Sequence, residues 1–196
     1  MKKYIVSLFA SILIFACFLS GCGKKADEPQ AAPSETQTED SEKTSELQES
    51  VPPVSFEATA IDGTEITSDI LTESKLTMIN VWATYCNPCL NEMPALGEIV
   101  ASYDRADFQI LGIISDVTVT SDQDTLDLAQ SLIDKTDADY THLLLNEDLY
   151  YGMILEVTAV PTTFFINSDR QIIDTVIGAM EKEDWEAKIE GLLASL

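Results

Sequence analysis

Two cysteines stand in the run Cys86-Asn87-Pro88-Cys89, and a pair so spaced can open and close a disulfide. Whether that amounts to chemistry depends on what holds it. An apolar run of strand length, Leu76 to Ala83, precedes the pair, and Leu90, Met93, Leu96, Val100 and Tyr103 recur behind it at helical spacing. The pair is therefore expected at the head of an amphipathic helix. A helix N-terminus presents unpaired N–H groups and partial positive charge, which favours a thiolate at Cys86. Cys89, one turn inside, can then attack a mixed disulfide formed at Cys86. Pro88 suits the first helical turn, where its missing N–H costs nothing, and it stiffens the loop. Pro94 is placed to kink the helix after that turn.

Whether such a disulfide persists depends on the compartment. Met1, Lys2 and Lys3 precede an apolar run from Tyr4 to Leu19, which gives way to Ser20-Gly21-Cys22 and a polar stretch. That order is the architecture of a secretory signal. Leu19-Ser20-Gly21-Cys22 resembles a bacterial lipobox, which implies a diacylglycerol on the Cys22 sulfur and cleavage just before it. Residues 1–21 are then a lipoprotein signal peptide, and Cys17 leaves with them. Of the four cysteines, Cys86 and Cys89 remain as a pair outside the cytosol, where a disulfide endures. The expected location is the extracytoplasmic face of the cell membrane, with the lipid as anchor.

After Cys22 the chain to residue 53 is mostly Ala, Ser, Thr, Glu, Gln and Pro, with only Leu47 and Val51 as larger aliphatics. It cannot bury enough apolar surface to offset its ordering entropy and is expected to be a disordered acidic tether. The whole chain carries 34 acids against 11 bases, a net charge of −23. No basic patch follows Lys25, so phosphate backbones are repelled and nucleic acid is not an expected partner. Anionic lipid repels the folded part as well, so attachment to a membrane has to be hydrophobic or covalent.

From residue 54 to 196 short apolar runs alternate with helical periods, the texture of a mixed α/β sheet with covering helices. Asp62-Gly63 turns a hairpin between Phe56 and Ile66. Phe108 to Ile114 is a second buried strand, and Leu126, Ala129, Leu132 and Ile133 mark a further helix. A short strand at His142 to Leu145 and a helical piece around Leu149 to Ile154 follow. Strands Thr162 to Ile166 and Gln171 to Ile177 flank an Asn167-Ser168-Asp169 turn, and Trp185, Ile189, Leu192, Leu193 and Leu196 space out a last helix.

The segment from Trp82 through Tyr85 to Cys89, followed by Glu92-Met93-Pro94, resembles the active-site segment of the thioredoxin fold. More narrowly, it resembles the membrane-tethered TlpA/ResA-like thiol-disulfide oxidoreductases. The likeness covers nearly all of residues 54–196, including the hairpin, the extra helix between Asp122 and Thr136, and Val160-Pro161-Thr162. It implies a thioredoxin-like fold: a central mixed β-sheet flanked by helices, with an N-terminal β-hairpin and an inserted helix. It also implies a Cys86/Cys89 dithiol that reduces disulfides in exported client proteins. No cofactor is then needed, the protein is a monomer, and a DsbD/CcdA-like membrane thiol transporter supplies electrons. Cytochrome c biogenesis is one compatible client process.

The resemblance also weights single residues. Position alone leaves Glu92 open between a solvated helix-face glutamate and a carboxylate turned towards the sulfurs. Such a carboxylate would raise a cysteine pKa or shuttle a proton. The match to the Glu-x-Pro pattern implies the functional role. Ordinary thioredoxins carry a buried aspartate where this chain has Asn80, so any proton exchange falls to Glu92. Ala159-Val160-Pro161-Thr162 by itself says only that a proline opens a strand. The resemblance implies a cis bond before Pro161, facing the disulfide, with the Val160 backbone free to pair with an extended substrate. Trp82 and Tyr85 are expected to flank the disulfide as packing residues, with a share in substrate contact.

Other chemistries fit less well. Cys86, Cys89 and His142 lack the fourth ligand of a structural zinc site. Leu90 after Cys89 excludes the haem-attachment pattern, and the peroxidatic Pro-x-x-x-Thr-x-x-Cys context is absent. The main alternative is a copper chaperone on a similar fold, holding Cu(I) between the two thiols with His142 as third ligand.

Overall fold

The computed structural model describes residues 52–196. The signal segment, Cys22 and the tether as far as Val51 lie outside the described residues. A short hairpin comes first, β1 (Glu57–Thr59) and β2 (Glu65–Thr67), paired antiparallel with Ala58 opposite Ile66. Its loop turns at Gly63, whose φ of +87° lies in the left-handed region that a side chain disfavours. The Asp62 carboxylate accepts from the Thr64 N–H at 2.9 Å to close the turn.

The main sheet has the order β5-β4-β3-β6-β7. Its centre, β3 (Leu76–Trp82), is buried at every residue, which is why it reads as a continuous apolar run. It pairs in parallel with β4 (Phe108–Thr118) and antiparallel with β6 (Thr162–Asn167). β5 (Thr141–Leu145) lies parallel to β4, and β7 (Ile172–Ile177) runs antiparallel to β6 at the other edge. β4 extends past the expected Ile114 to Thr118, across a register shift that no apolar pattern marks.

Among the described residues three longer helices cover the sheet: α1 (Asn87–Ala101), α2 (Gln123–Lys135) and α4 (Lys182–Leu193). A short α3 (Glu147–Leu149) continues as a π-helical turn over Tyr150–Ile154. α1 runs on through Pro94, whose missing N–H leaves the Leu90 carbonyl without its intrahelical donor. α4 stops at Leu193 rather than reaching Leu196, which is exposed. The β6–β7 turn, which lacks a glycine, instead puts Arg170 at φ +62°.

One apolar cluster joins the hairpin to the sheet through Phe56, Ile79, Val81, Leu143 and Phe164. A second, under α1 and α4, is built on Leu76, Met78, Phe165, Trp185 and Ile189. A third contains both Cys86 and Cys89, with Trp82, Met93, Ile114 and Ala129. Fully burying side chains of this size contributes about 1.5–3 kcal/mol each, so the frame that carries the cysteines is anchored on several sides.

Candidate active site

The order of elements fixes where the cysteines sit. β3 ends at Trp82, the chain crosses Ala83 to Tyr85, and Cys86 becomes the N-cap of α1. Its Sγ accepts from the Cys89 N–H at 3.3 Å, and Pro88 occupies the first turn as the sequence implies. The loop before it is held from outside: the Thr84 N–H and hydroxyl both donate to the Asp116 carboxylate, the hydroxyl at 2.6 Å. Nothing in the sequence signals that tie, because Asp116 is 32 residues away on an extension of β4 that the apolar pattern does not reach.

Cys86 and Cys89 are joined in a disulfide with an S–S distance of 2.02 Å. Cys86 is 5% exposed and Cys89 0%, so of the two residues only Cys86 has any opening to solvent. The Val160–Pro161 peptide bond is cis. Val160 is half-buried, packs against the cluster that holds the two cysteines, and makes no backbone hydrogen bond among the described residues. Its N–H and carbonyl are available to an extended chain. Tyr85, next to Cys86, is 73% exposed and able to touch a partner.

Trp82 is not. It is fully buried, and its indole N–H donates to His142 Nδ1 at 3.1 Å. The expected share in substrate contact is therefore corrected to packing alone, because a side chain pointing from the central strand into the core has no open face. His142 is fully engaged as well. With Nδ1 accepting from Trp82, Nε2 carries the proton and donates to the Ala138 carbonyl at 3.0 Å. Burial holds its pKa down at about 4. Both nitrogens being committed, His142 is not free to be the third Cu(I) ligand, and the copper reading loses the residue that supported it.

Glu92 is turned inward and is 4% exposed. One carboxylate oxygen accepts from Asn80 Nδ2 at 3.1 Å, and the other from the Met180 N–H at 3.2 Å and the Trp185 indole at 3.3 Å. Neither sulfur is among its hydrogen-bond partners. Burial pushes its pKa up to about 7 against the pull of these three donors. Asn80 also donates to Thr163 at 3.1 Å, while its own Oδ1 and the Tyr140 hydroxyl are buried without a hydrogen-bond partner among the described residues. Burial, and then the charge of Glu92, drives the Tyr140 hydroxyl well above its ordinary value. The partnership with Trp185 and Met180 was not legible in sequence. Both lie more than 85 residues from Glu92, and Trp185 reads there only as a helix-packing residue.

The Redoxin family profile matches residues 46–193. The chain is a member of the Redoxin family. Among relatives of this redoxin is the thiol-disulfide oxidoreductase ResA of Bacillus cereus, 24% identical over 135 residues, covering 69% of the chain and 73% of the relative. ResA of Oceanobacillus iheyensis is 30% identical over 125 residues, and the match takes in 62% of the chain and 57% of that protein. The redoxin thus spans less than two thirds of the latter relative. Solved structures agree on the fold. The exposed lipoprotein thioredoxin of Streptococcus pneumoniae superposes with a TM-score of 0.58 at 22% identity, covering 70% of the chain and 98% of that protein. StoA of Bacillus subtilis gives 0.54 at 20% identity, covering 69% and 96%. The redoxin is a thiol-disulfide oxidoreductase of thioredoxin-like fold, and it holds a Cys86–Cys89 disulfide at the head of α1.

Proposed function

We propose that this redoxin is a lipid-anchored reductase of disulfides in exported client proteins, working from the outer face of the cell membrane. The observation that supports this best is the asymmetry of the pair: a partly open Cys86 at a helix N-terminus, a closed Cys89, and a buried carboxylate behind them. In the reduced protein the Cys86 thiolate attacks one sulfur of a client disulfide. The client S–S bond breaks, a Cys86–client disulfide forms, and the client's other sulfur leaves as a thiolate that takes up a proton. Cys89 then gives its proton to Glu92, directly or through solvent, and attacks Cys86. The second client sulfur leaves as a thiolate, and Cys86–Cys89 is closed. Two electrons pass to the client in all. A carboxylic acid with a pKa of about 7 takes and returns a proton near neutrality with little driving-force penalty.

The anchoring half of this reading rests on Leu19-Ser20-Gly21-Cys22. Return of the electrons calls for a membrane donor of the DsbD/CcdA-like kind. The Val160 backbone and Tyr85 are the surfaces proposed to hold the client beside Cys86. Cys89→Ala tests the scheme, because it removes the resolving thiol and leaves clients trapped on Cys86. Non-reducing gels of membrane fractions should show new high-mass adducts that a further Cys86→Ala change abolishes. An unchanged protein profile would refute the resolving role of Cys89, and adducts confined to the soluble fraction would refute the anchor. A reduction potential at or below about −230 mV fits a reductase, whereas one near about −120 mV would reverse the direction.

A further inference from the structure

β3, β4 and β5 are parallel, so their C-terminal ends lie together at the end of the sheet where Cys86 sits. β6 starts at this end just after Pro161, and β7 finishes there, with Ile177 opposite Thr162. Large apolar side chains are left uncovered around this rim. Tyr85 is 73% exposed, Ile177 67% and Tyr151 71%. Val119, Tyr150 and Tyr151 share an open groove of about 430 Å³ with Leu145 at the end of β5.

Charge is sorted along the same axis. The bases among the described residues are Lys75, Arg105, Lys135, Arg170, Lys182 and Lys188. Lys75, Arg105 and Arg170 lie at the opposite end of the sheet, before β3, before β4 and in the β6–β7 turn. There they face Asp107, Glu73 and Asp69. Lys135 closes the last turn of α2, and both α4 lysines are ion-paired, with Glu98 and Glu186 or with Asp174. The disulfide end carries Asp116, Asp122, Asp124, Glu147 and Glu181, and among the described residues its one base is Lys182, beside Glu181 and already paired with Glu98 and Glu186.

We infer that this rim is a docking surface for an extended client segment that is apolar or aromatic beside its cysteine and carries lysine or arginine around it. The inference rests on the reductase reading and adds the class of client. An apolar stretch covers Tyr85 and Ile177 while its backbone pairs with Val160, and flanking cations find acids that form no ion pair among the described residues. An acidic segment meets like charge on every side and approaches more slowly.

Three matched peptides, each with one internal disulfide, test this against the pre-reduced protein in single turnover, with neutral hydroxyethyl disulfide as a fourth probe. One peptide has Leu and Phe beside its cysteines and Lys outside them, the second has Glu for Lys, and the third keeps Lys with Ser for Leu and Phe. At about 20 mM salt the first should react at least about tenfold faster than the second, a ratio that falls below about threefold at about 0.5 M salt as screening shortens the field. The third should lag the first by about fivefold. Joint Glu147→Lys and Glu181→Lys changes should reduce the Lys-to-Glu peptide ratio at low salt by at least about threefold. Equal rates for the first two peptides, or a ratio indifferent to salt or to these changes, overturn the inference while reduction of hydroxyethyl disulfide leaves the reductase reading standing. A protein that reduces none of the four probes overturns both.

Discussion

Glu92→Gln should make the stability of the oxidised protein respond to pH in a way that can be worked out beforehand. In the folded state Glu92 keeps its proton up to about pH 7, because burial penalises the carboxylate. In the unfolded chain it releases that proton near its ordinary value of 4.5. The folded state therefore binds the extra proton between these two points, and stability falls as pH rises through them. The distance from 4.5 to about 7 corresponds to about 3 kcal/mol. Below about pH 4.5 both states are protonated and the group contributes no pH dependence, and above about pH 8 the full loss is present. Glutamine cannot ionise. Its carbonyl can accept from Met180 and Trp185, and its amide can donate to the Asn80 oxygen once the Asn80 side chain is turned over, since that oxygen is unpaired. Urea denaturation of wild type and variant at pH 5, 6, 7 and 8 reads the difference directly, and titrations common to both chains cancel. The variant should gain on the wild type by about 2–3 kcal/mol across that range. A flat difference would mean that Glu92 ionises as it does in water, and the reasoning from burial would fail. A gain of the opposite sign would mean that the three donors outweigh desolvation.

His142 gives the reverse dependence. It stays neutral in the fold down to about pH 4, whereas the unfolded chain takes up a proton near its ordinary 6.5. Its contribution is therefore complete above about pH 6.5 and is lost as pH falls towards 4. The stability difference between wild type and His142→Gln should shrink over that window, and a difference that grows on acidification would contradict a neutral His142. Gly112→Ala places a Cβ against the His142 imidazole, an overpacking that costs about 1–3 kcal/mol. A thermal melt unchanged from wild type would show that the ring has room to move. Gly191→Ala, inside α4 with nothing near its Cβ, should instead raise the melting temperature, so a drop confined to Gly112→Ala assigns the loss to close approach.

Much of this protein is local in its logic. The placement of Cys86 and Cys89 between a buried strand and an amphipathic helix needed only neighbouring residues, because strand burial and helical period are short-range patterns. The hairpin at Asp62-Gly63, β3, α1 and α2 were legible for the same reason. Two element ends were not legible in this way. β4 runs on to Thr118 because pairing with β5 resumes beyond a register shift, and α4 ends before Leu196 although the apolar period continues.

The chemistry around the disulfide is divided in the same way. By itself the sequence determined the spacing of the cysteine pair, the helix head that favours a thiolate there, and the sign of the charge that a partner has to overcome. Only the tertiary structure decided which carboxylate is buried and what it costs. Asn80 on β3, Met180 in the loop before α4 and Trp185 on α4 converge on Glu92 only when α4 packs on α1 beside β3. Packing of α2 and β5 against β3 and β4 closed off Trp82 and spent both nitrogens of His142. Pairwise contacts between residues 60 to 93 positions apart leave no period or motif in the chain, since nothing in a neighbouring residue depends on them. They arise when a whole sheet brings its strand ends together, and there the exposure, charge state and reach of each side chain are set.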